Sequence, residues 1–388
     1  MRILIHSNAP WAPTGYGTQI RNLLRILTDL GHEVAVSAFY GLHGAPIRWE
    51  HPDLHDEAYF TIYPGGRADY GIDVLLSHAR HYQADLVLTL MDTYKLRPIT
   101  EGVRQYITEG GRFACLMPID CTPLGRPDQG FLDRSGATPI AMSDFGRTQL
   151  TAAGFTPLYA PHVIDTEIFT PTADRATARE ALGLDPVAPV IGLNAANMDL
   201  TRKAFPEQLT AFAALHRDRP DLVLLLHTDP RQGPGHDLFT MMADLEIASA
   251  VRTTDLYGYT AGHLDSSDLA TWYGLCDLVT NCSYGEGFGL AIVEAQACGV
   301  PVVATDVSAM PELLAEGSVS VRSEPFWNPF HREWWARPDG RAMVDAWWWM
   351  LDHPSTFETR AAMVAAMDDY NLTAGAQYWT AVLKELES

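Results

Sequence analysis

The sequence predicts an α/β protein made of two Rossmann-like, doubly wound domains. Two observations carry this. Short, near-continuous runs of Val, Ile, Leu and Ala recur along the chain, each followed by a loop and usually by a helical stretch. Such runs suit parallel strands buried on both faces. The same strand–helix alternation appears in each half of a 388-residue chain, which is long for one core and comfortable for two.

Taken in order, the strands expected in the first half are Arg2–Ser7, Glu33–Phe39, Asp85–Met91, Arg112–Ile119 and Thr138–Ser143. A helix over Gly17–Leu30 stops at Gly31, a favourable C-terminal residue. Asp165–Pro189, punctuated by Pro, Asp and Thr, reads as the join. The second half offers strands Pro189–Ala196, Asp221–Thr228, Asp277–Cys282 and Pro301–Thr305. Its helices are Phe205–Asp218, ending at Pro220, and Leu290–Cys298, ending at Gly299. Thr356–Ser388 has helical spacing and no strand, so it supplies closing helices, either local or returning across the first domain. The expected division is therefore 1–165, 166–355 and 356–388.

Composition narrows the class. Hydrophobic residues make up 47% and charged residues 19%, as in a globular protein. A net charge of −21 argues against a surface built to grip nucleic-acid phosphates or anionic lipid, while leaving room for a local basic pocket. The apolar run in MRILIHSNAPW is too short for a signal peptide, and no stretch approaches the roughly 18–20 apolar residues of a membrane span. The five cysteines, an odd number without a CxxC pair, fit a reducing, cytoplasmic setting. Buried free thiols are expected, with a zinc site from Cys276, Cys282 and Cys298 as the alternative.

The most informative stretch is SYGEGFGLAIVEAQACGVPVVATD, Ser283–Asp306. A strand leads into a glycine-containing turn and then a helix, so the turn stands at the carboxyl end of a parallel strand, where open α/β sheets bind ligands. The amides of Gly287, Phe288 and Gly289 lie at a helix N-terminus, a place that favours anions. Glu286 precedes this helix, and Glu294 stands roughly 12 Å further along if the intervening residues are helical. Two carboxylates so spaced suit the two ends of an elongated ligand with hydroxyls outside and anions between, as in a nucleotide-sugar. The alternative is a first-turn glutamate and a solvated helix glutamate.

The block GEGFGLAIVEAQACGVPVVATDVSAMPELL resembles the E-x7-E signature of GT-B glycosyltransferases, specifically the large retaining family numbered four. PTGYGTQIRNLLRIL is similar to that family's N-terminal glycine loop and helix, and PHVIDTEIFTP to its hinge segment. RKAFPEQLTAFAAL resembles its lysine–glycine element, and DLYGYT, with Tyr257, the segment before the nucleotide. The resemblance implies two facing domains with the donor in the cleft between them, mainly on the second. It implies that Glu286 binds the donor sugar, Glu294 the ribose, and the Gly287–Leu290 amides the sugar and phosphate. The loop Gly15-Tyr16-Gly17 would close on the diphosphate. Lys203 would neutralise the leaving diphosphate. Arg202 has either a catalytic role or a surface ion pair, because consecutive helix residues diverge by about 100°. Ala204 stands where the family has glycine.

Where relatives place a histidine, this chain has Asp120, which either orients or deprotonates an acceptor hydroxyl or caps the following turn. His6, His78 and His162 are further polar residues at strand ends. No metal or resident cofactor is expected; the co-substrate would be a UDP- or GDP-linked sugar. The acceptor stays open among glycan, small molecule, lipid, protein and modified base, as does the oligomeric state. Two other readings share this fold: a catalytically silent nucleotide-sugar-binding scaffold and a sugar-nucleotide epimerase. His43–Tyr70 is either a mobile or acceptor-facing insertion or an irregular surface loop. Trp334, Trp335, Trp347, Trp348 and Trp349 either stack on sugar or base or are buried between helices.

Overall fold

The computed structural model describes residues 1–54, 58–231, 233–329 and 331–387. It divides into two compact units: Met1–Val163 with the chain from Leu372 on, and Ile164–Asn371.

The first unit runs β1 (Arg2–Asn8), α1 (Gly15–Asp29), β2 (Glu33–Tyr40), β3 (Ile47–Glu50), β4 (Tyr59–Tyr63), α2 (Leu75–Tyr82), β5 (Leu86–Leu90) and α3 (Thr100–Thr108). It continues with β6 (Arg112–Met117), α4 (Arg126–Ser135), β7 (Thr138–Ala141), α5 (Asp144–Ala152) and β8 (Leu158–Tyr159). The sheet order is β3-β4-β2-β1-β5-β6-β7-β8. Strand order reverses between β1 and β5, and all pairings are parallel except β3 with β4. Ile3, Leu4 and Ile5 are wholly buried, as an apolar run with helices on both faces requires.

The second unit begins with α6 (Arg175–Ala181), β9 (Val190–Asn194), α7 (Phe205–Asp218), β10 (Val223–His227), α8 (Leu238–Asp244) and β11 (Val251–Thr253). There follow α9 (Leu256–Thr260), α10 (Ser266–Gly274), β12 (Leu278–Asn281), α11 (Leu290–Ala297), β13 (Val302–Thr305) and β14 (Val319–Val321). The unit closes with β15 (Ser323–Asn328), β16 (Glu333–Pro338), α12 (Gly340–Asp352) and α13 (Phe357–Ala366). Its parallel sheet has the order β11-β10-β9-β12-β13-β14, with the reversal between β9 and β12. Ligands of open α/β sheets bind beyond the carboxyl ends of strands at such a reversal.

Three expectations change. The segment His43–Tyr70 holds β3 and β4 at the sheet edge rather than an irregular loop, with residues 55–57 outside the described set. Its strands are only four and five residues long, too short to show a period. Trp334 and Trp335 stand on β16 of a hairpin, not on a helix, so they alternate: Trp335 is buried and Trp334 is about half exposed. On α12, Trp347 faces the core while Trp348 and Trp349 turn outward. Finally, residues 356–371 stay with the second unit, where α13 packs against α11. Only α14 (Leu372–Glu387) joins the first unit, packing on α1 and burying Trp379, Val382 and Leu383.

All five cysteines are buried thiols, outside any disulfide. Cys276, Cys282 and Cys298 each direct their thiol to a different backbone carbonyl, those of Trp272, Val303 and Ala270, so they do not converge as a zinc ligand set. No helix among the described residues is long and apolar enough to cross a membrane.

Candidate functional site

The second unit's strand reversal brings together two connections: the one after β9, carrying Arg202 and Lys203, and the one after β12, carrying Glu286. In the first, Asp199 Oδ1 accepts the backbone N–H groups of Thr201 (2.8 Å) and Arg202 (2.6 Å), forming a tight turn. Ala204 then adopts φ 49° and ψ 34°, a left-handed conformation that favours glycine, before α7 starts at Phe205. Arg202 and Lys203 thus precede the helix, so the 100° divergence expected for helical neighbours does not apply. Both reach the same carboxylate. Lys203 Nζ donates to Glu286 Oε1, and Arg202 Nη1 donates to Oε2 at 3.1 Å.

Glu286 is 6% exposed. Ser283 Oγ also donates to its Oε1 (2.6 Å), and its own N–H donates to Ser308 Oγ (2.9 Å). Burial pushes this carboxyl up, but the Lys203 and Arg202 charges outweigh that and hold it below the usual carboxylate range. Burial lowers the Lys203 ammonium, with the Glu286 charge opposing. The result is an ionised cluster around a buried carboxylate beyond the ends of β9 and β12.

Beyond Glu286 the chain enters α11 through Gly289, whose φ of 124° lies in the region open to glycine. A Cβ there would also stand 3.1 Å from Ile292 Cδ1 and 3.3 Å from Leu313 Cδ1. Phe288 turns its ring inward against Tyr370, at a centroid distance of 5.6 Å. Glu294 is not a solvated helix residue: it is 5% exposed. Tyr273 Oη donates to its Oε2 at 2.8 Å, and Asn194 Nδ2 donates to Tyr273 Oη at 2.7 Å. Burial outweighs the Tyr273 hydrogen bond and pushes the Glu294 carboxyl up to about 7.

Sequence reasoning missed the residues that hold this cluster. Tyr284 N–H donates to the Arg202 carbonyl (2.8 Å), and Tyr284 Oη donates to Glu207 (2.5 Å). Gln208 Nε2 donates to the Lys203 carbonyl (2.9 Å). A signal existed for Gln208: it is a polar residue on the apolar stripe of Phe205, Leu209 and Phe212. Tyr257 belongs to another connection of the same sheet, the one after β11. It lies on α9 after the edge strand β11, 70% exposed, with its ring edge-on to His263.

In the first unit, the loop Gly15-Tyr16-Gly17 opens α1 beyond the end of β1. Thr14 Oγ1 caps the helix by accepting the Gly17 N–H (3.0 Å), so that amide is already used. A Cβ on Gly17 would lie 2.2 Å from the Ala12 carbonyl oxygen. Asp120 follows β6 and is half-buried. His6 Nε2 must donate to the Tyr70 carbonyl (2.9 Å). Its Nδ1 therefore accepts from Ser37 Oγ (3.0 Å), and Ser37 accepts from His78 Nδ1 (2.9 Å). Burial lowers His6 to about 4 and His162 to about 3, so both are neutral groups of the fold.

The architecture is the GT-B fold of glycosyltransferases. Over the whole chain it superposes on sucrose-phosphate synthase from Thermosynechococcus elongatus with a TM-score of 0.74 at 15% identity, covering 99% of that chain. It superposes on HepE from Anabaena in complex with UDP-glucose with a TM-score of 0.72 at 17% identity, covering 99% of this chain and all of the other. Residues 190–328, from β9 through β15, match the family described as Glycosyl transferases group 1. The Lys203, Glu286 and Glu294 positions all fall within that domain. D-inositol 3-phosphate glycosyltransferase from Mycobacterium sp. (strain KMS) is 40% identical over 157 residues, 40% of this chain. The match spans 33% of that relative's own length.

Proposed function

We propose that this protein is a glycosyltransferase that moves a hexosyl group from a nucleotide-diphosphate-sugar to an acceptor hydroxyl. The observation that carries the reading is the Arg202–Lys203–Glu286 cluster, two part-exposed cations on one buried carboxylate, at the strand reversal of a glycosyltransferase group 1 domain. In this reading Lys203, with Arg202, stabilises the charge that grows on the departing diphosphate. Preorganised cations of this kind do the work without a metal. Glu286 keeps both cations oriented before the donor arrives, and its remaining lone pairs accept sugar hydroxyls. The Gly287–Leu290 backbone approaches sugar and phosphate, and ionised Glu294 accepts the ribose hydroxyls.

Retention of configuration, a UDP- or GDP-linked donor and a cytoplasmic setting complete the proposal, together with roles for Gly15, Tyr16, Gly17 and Tyr257 on the donor and for Asp120 on the acceptor. The UDP-glucose complex of HepE makes UDP-sugars the first donors to try. The test is a mass-spectrometric screen of nucleotide-sugars for hydrolysis or transfer, with Lys203→Ala alongside. We expect one donor class to be consumed and the variant to lose about 10²–10³-fold in kcat. If no nucleotide-sugar is consumed and none raises the melting temperature, the reading fails. Binding without turnover across varied acceptors would instead mark a silent binding module.

A further inference from the structure

We propose that Gln208 is a positioning residue for the Lys203–Glu286 pair; this rests on the functional reading above. Gln208 is 2% exposed on the first turns of α7. A buried amide is costly unless both of its ends are satisfied. Its Oε1 accepts the Thr280 hydroxyl (2.6 Å) and the Cys282 N–H (3.3 Å), at the end of β12. Its Nε2 donates to the Lys203 carbonyl at 2.9 Å. One side chain thus ties the strand that leads to Glu286 to the main chain of the lysine that pairs with Glu286.

The tie falls where the backbone needs it. Lys203 lies outside α7, ahead of a left-handed Ala204, so its carbonyl has no place in the helical ladder. The neighbouring Arg202 carbonyl is held by the Tyr284 N–H, two residues before Glu286. Consecutive carbonyls of the basic pair are therefore anchored to the segment 280–284. Gln208 touches neither Nζ nor the carboxylate, and it acts by fixing where Lys203 starts.

The donor and acceptor ends of Gln208 provide the test. In Gln208→Glu, a protonated acid keeps one donor and one acceptor, whereas an ionised one turns only acceptors toward the Lys203 carbonyl. Burial raises such a carboxyl, so the switch falls within an accessible pH range. We expect kcat of Gln208→Glu to drop about 10- to 100-fold on the alkaline side and to recover on acidification. Its donor KM should stay within about threefold of wild type.

A second readout does not depend on turnover. The chain has three lysines, Lys95, Lys203 and Lys384, so 13C labelling at lysine Cε yields three resolvable reporters. The Lys203 signal should move in Gln208→Glu with the same pH midpoint as kcat, and in Gln208→Leu at every pH, with Lys95 and Lys384 unmoved. A Gln208→Glu variant with wild-type kcat at all pH values and an unmoved Lys203 signal overturns the proposal. So does a kcat loss that tracks the melting temperature alone. If wild-type protein consumes no donor, the functional reading falls, and the Lys203 signal still decides whether Gln208 places the lysine.

Discussion

Glu294 shows how one buried side chain carries opposite consequences for stability and binding. Its carboxyl, at about 7 in the folded protein against about 4.5 unfolded, binds a proton more tightly when folded. Stability from this group is therefore complete below pH 4.5 and lost as pH rises toward 7. Glu294→Gln keeps a partner for Tyr273 and removes the cost, so it should stabilise the protein at pH 8 by about 2–3 kcal/mol and leave it unchanged at pH 4.5. Urea unfolding at the two pH values measures this, and an equal effect at both would contradict the assignment. If ribose hydroxyls bind the ionised form, donor binding near pH 6 releases a proton. Calorimetry in buffers of different ionisation enthalpy reads that release, and a buffer-independent heat would count against Glu294 as the ribose ligand.

At the scale of elements, the site depends on how helices begin. α7 is entered through the left-handed Ala204, and α1 carries Gly17 in its first turn. Gly17 stands so close to the Ala12 carbonyl that a methyl group cannot be added without moving backbone. Gly17→Ala should cost about 1–3 kcal/mol, read as a lower urea midpoint for the first unit. An unchanged midpoint would mean that the Pro13–Gly17 loop relaxes freely. The nine strands expected from apolar runs all form, with ends within about two residues of the expected ones, because a buried parallel strand announces itself as a continuous hydrophobic run. The edge strands β3 and β4 and the hairpin β15–β16 were not legible, since half-exposed short strands mix aromatic, charged and polar residues. At the candidate site, spacing singled out the two glutamates and the family resemblance singled out Lys203. Tyr284 and Ser308 left no such mark, and Gln208 showed only as a polar residue on an apolar stripe, because their roles are contacts between segments far apart in sequence.

For the molecule as a whole, the buried histidines set the response to acid. His6 and His162 in the first unit and His227 in the second are lowered to about 4, 3 and 4 respectively, each by burial. A depressed histidine contributes stability above its unfolded value near 6.5, and that stability is lost as pH falls through the folded value. His6 alone accounts for roughly 3 kcal/mol across that window. The urea midpoint should therefore fall steeply between pH 6.5 and 4, most of all for the first unit. A midpoint equal at pH 5 and pH 7.5 would show that these rings are solvated.

The sequence by itself determined the doubly wound architecture and the places where a ligand site can form. Those follow from apolar runs, helix stops and glycine turns, which act through neighbours a few residues apart. Only the tertiary structure decided that Arg202 faces Glu286 alongside Lys203, that Glu294 is buried on Tyr273, and that the last helix returns to the first unit. These outcomes depend on which side chains meet across a sheet reversal and on how much water each meeting excludes. No local pattern encodes either quantity.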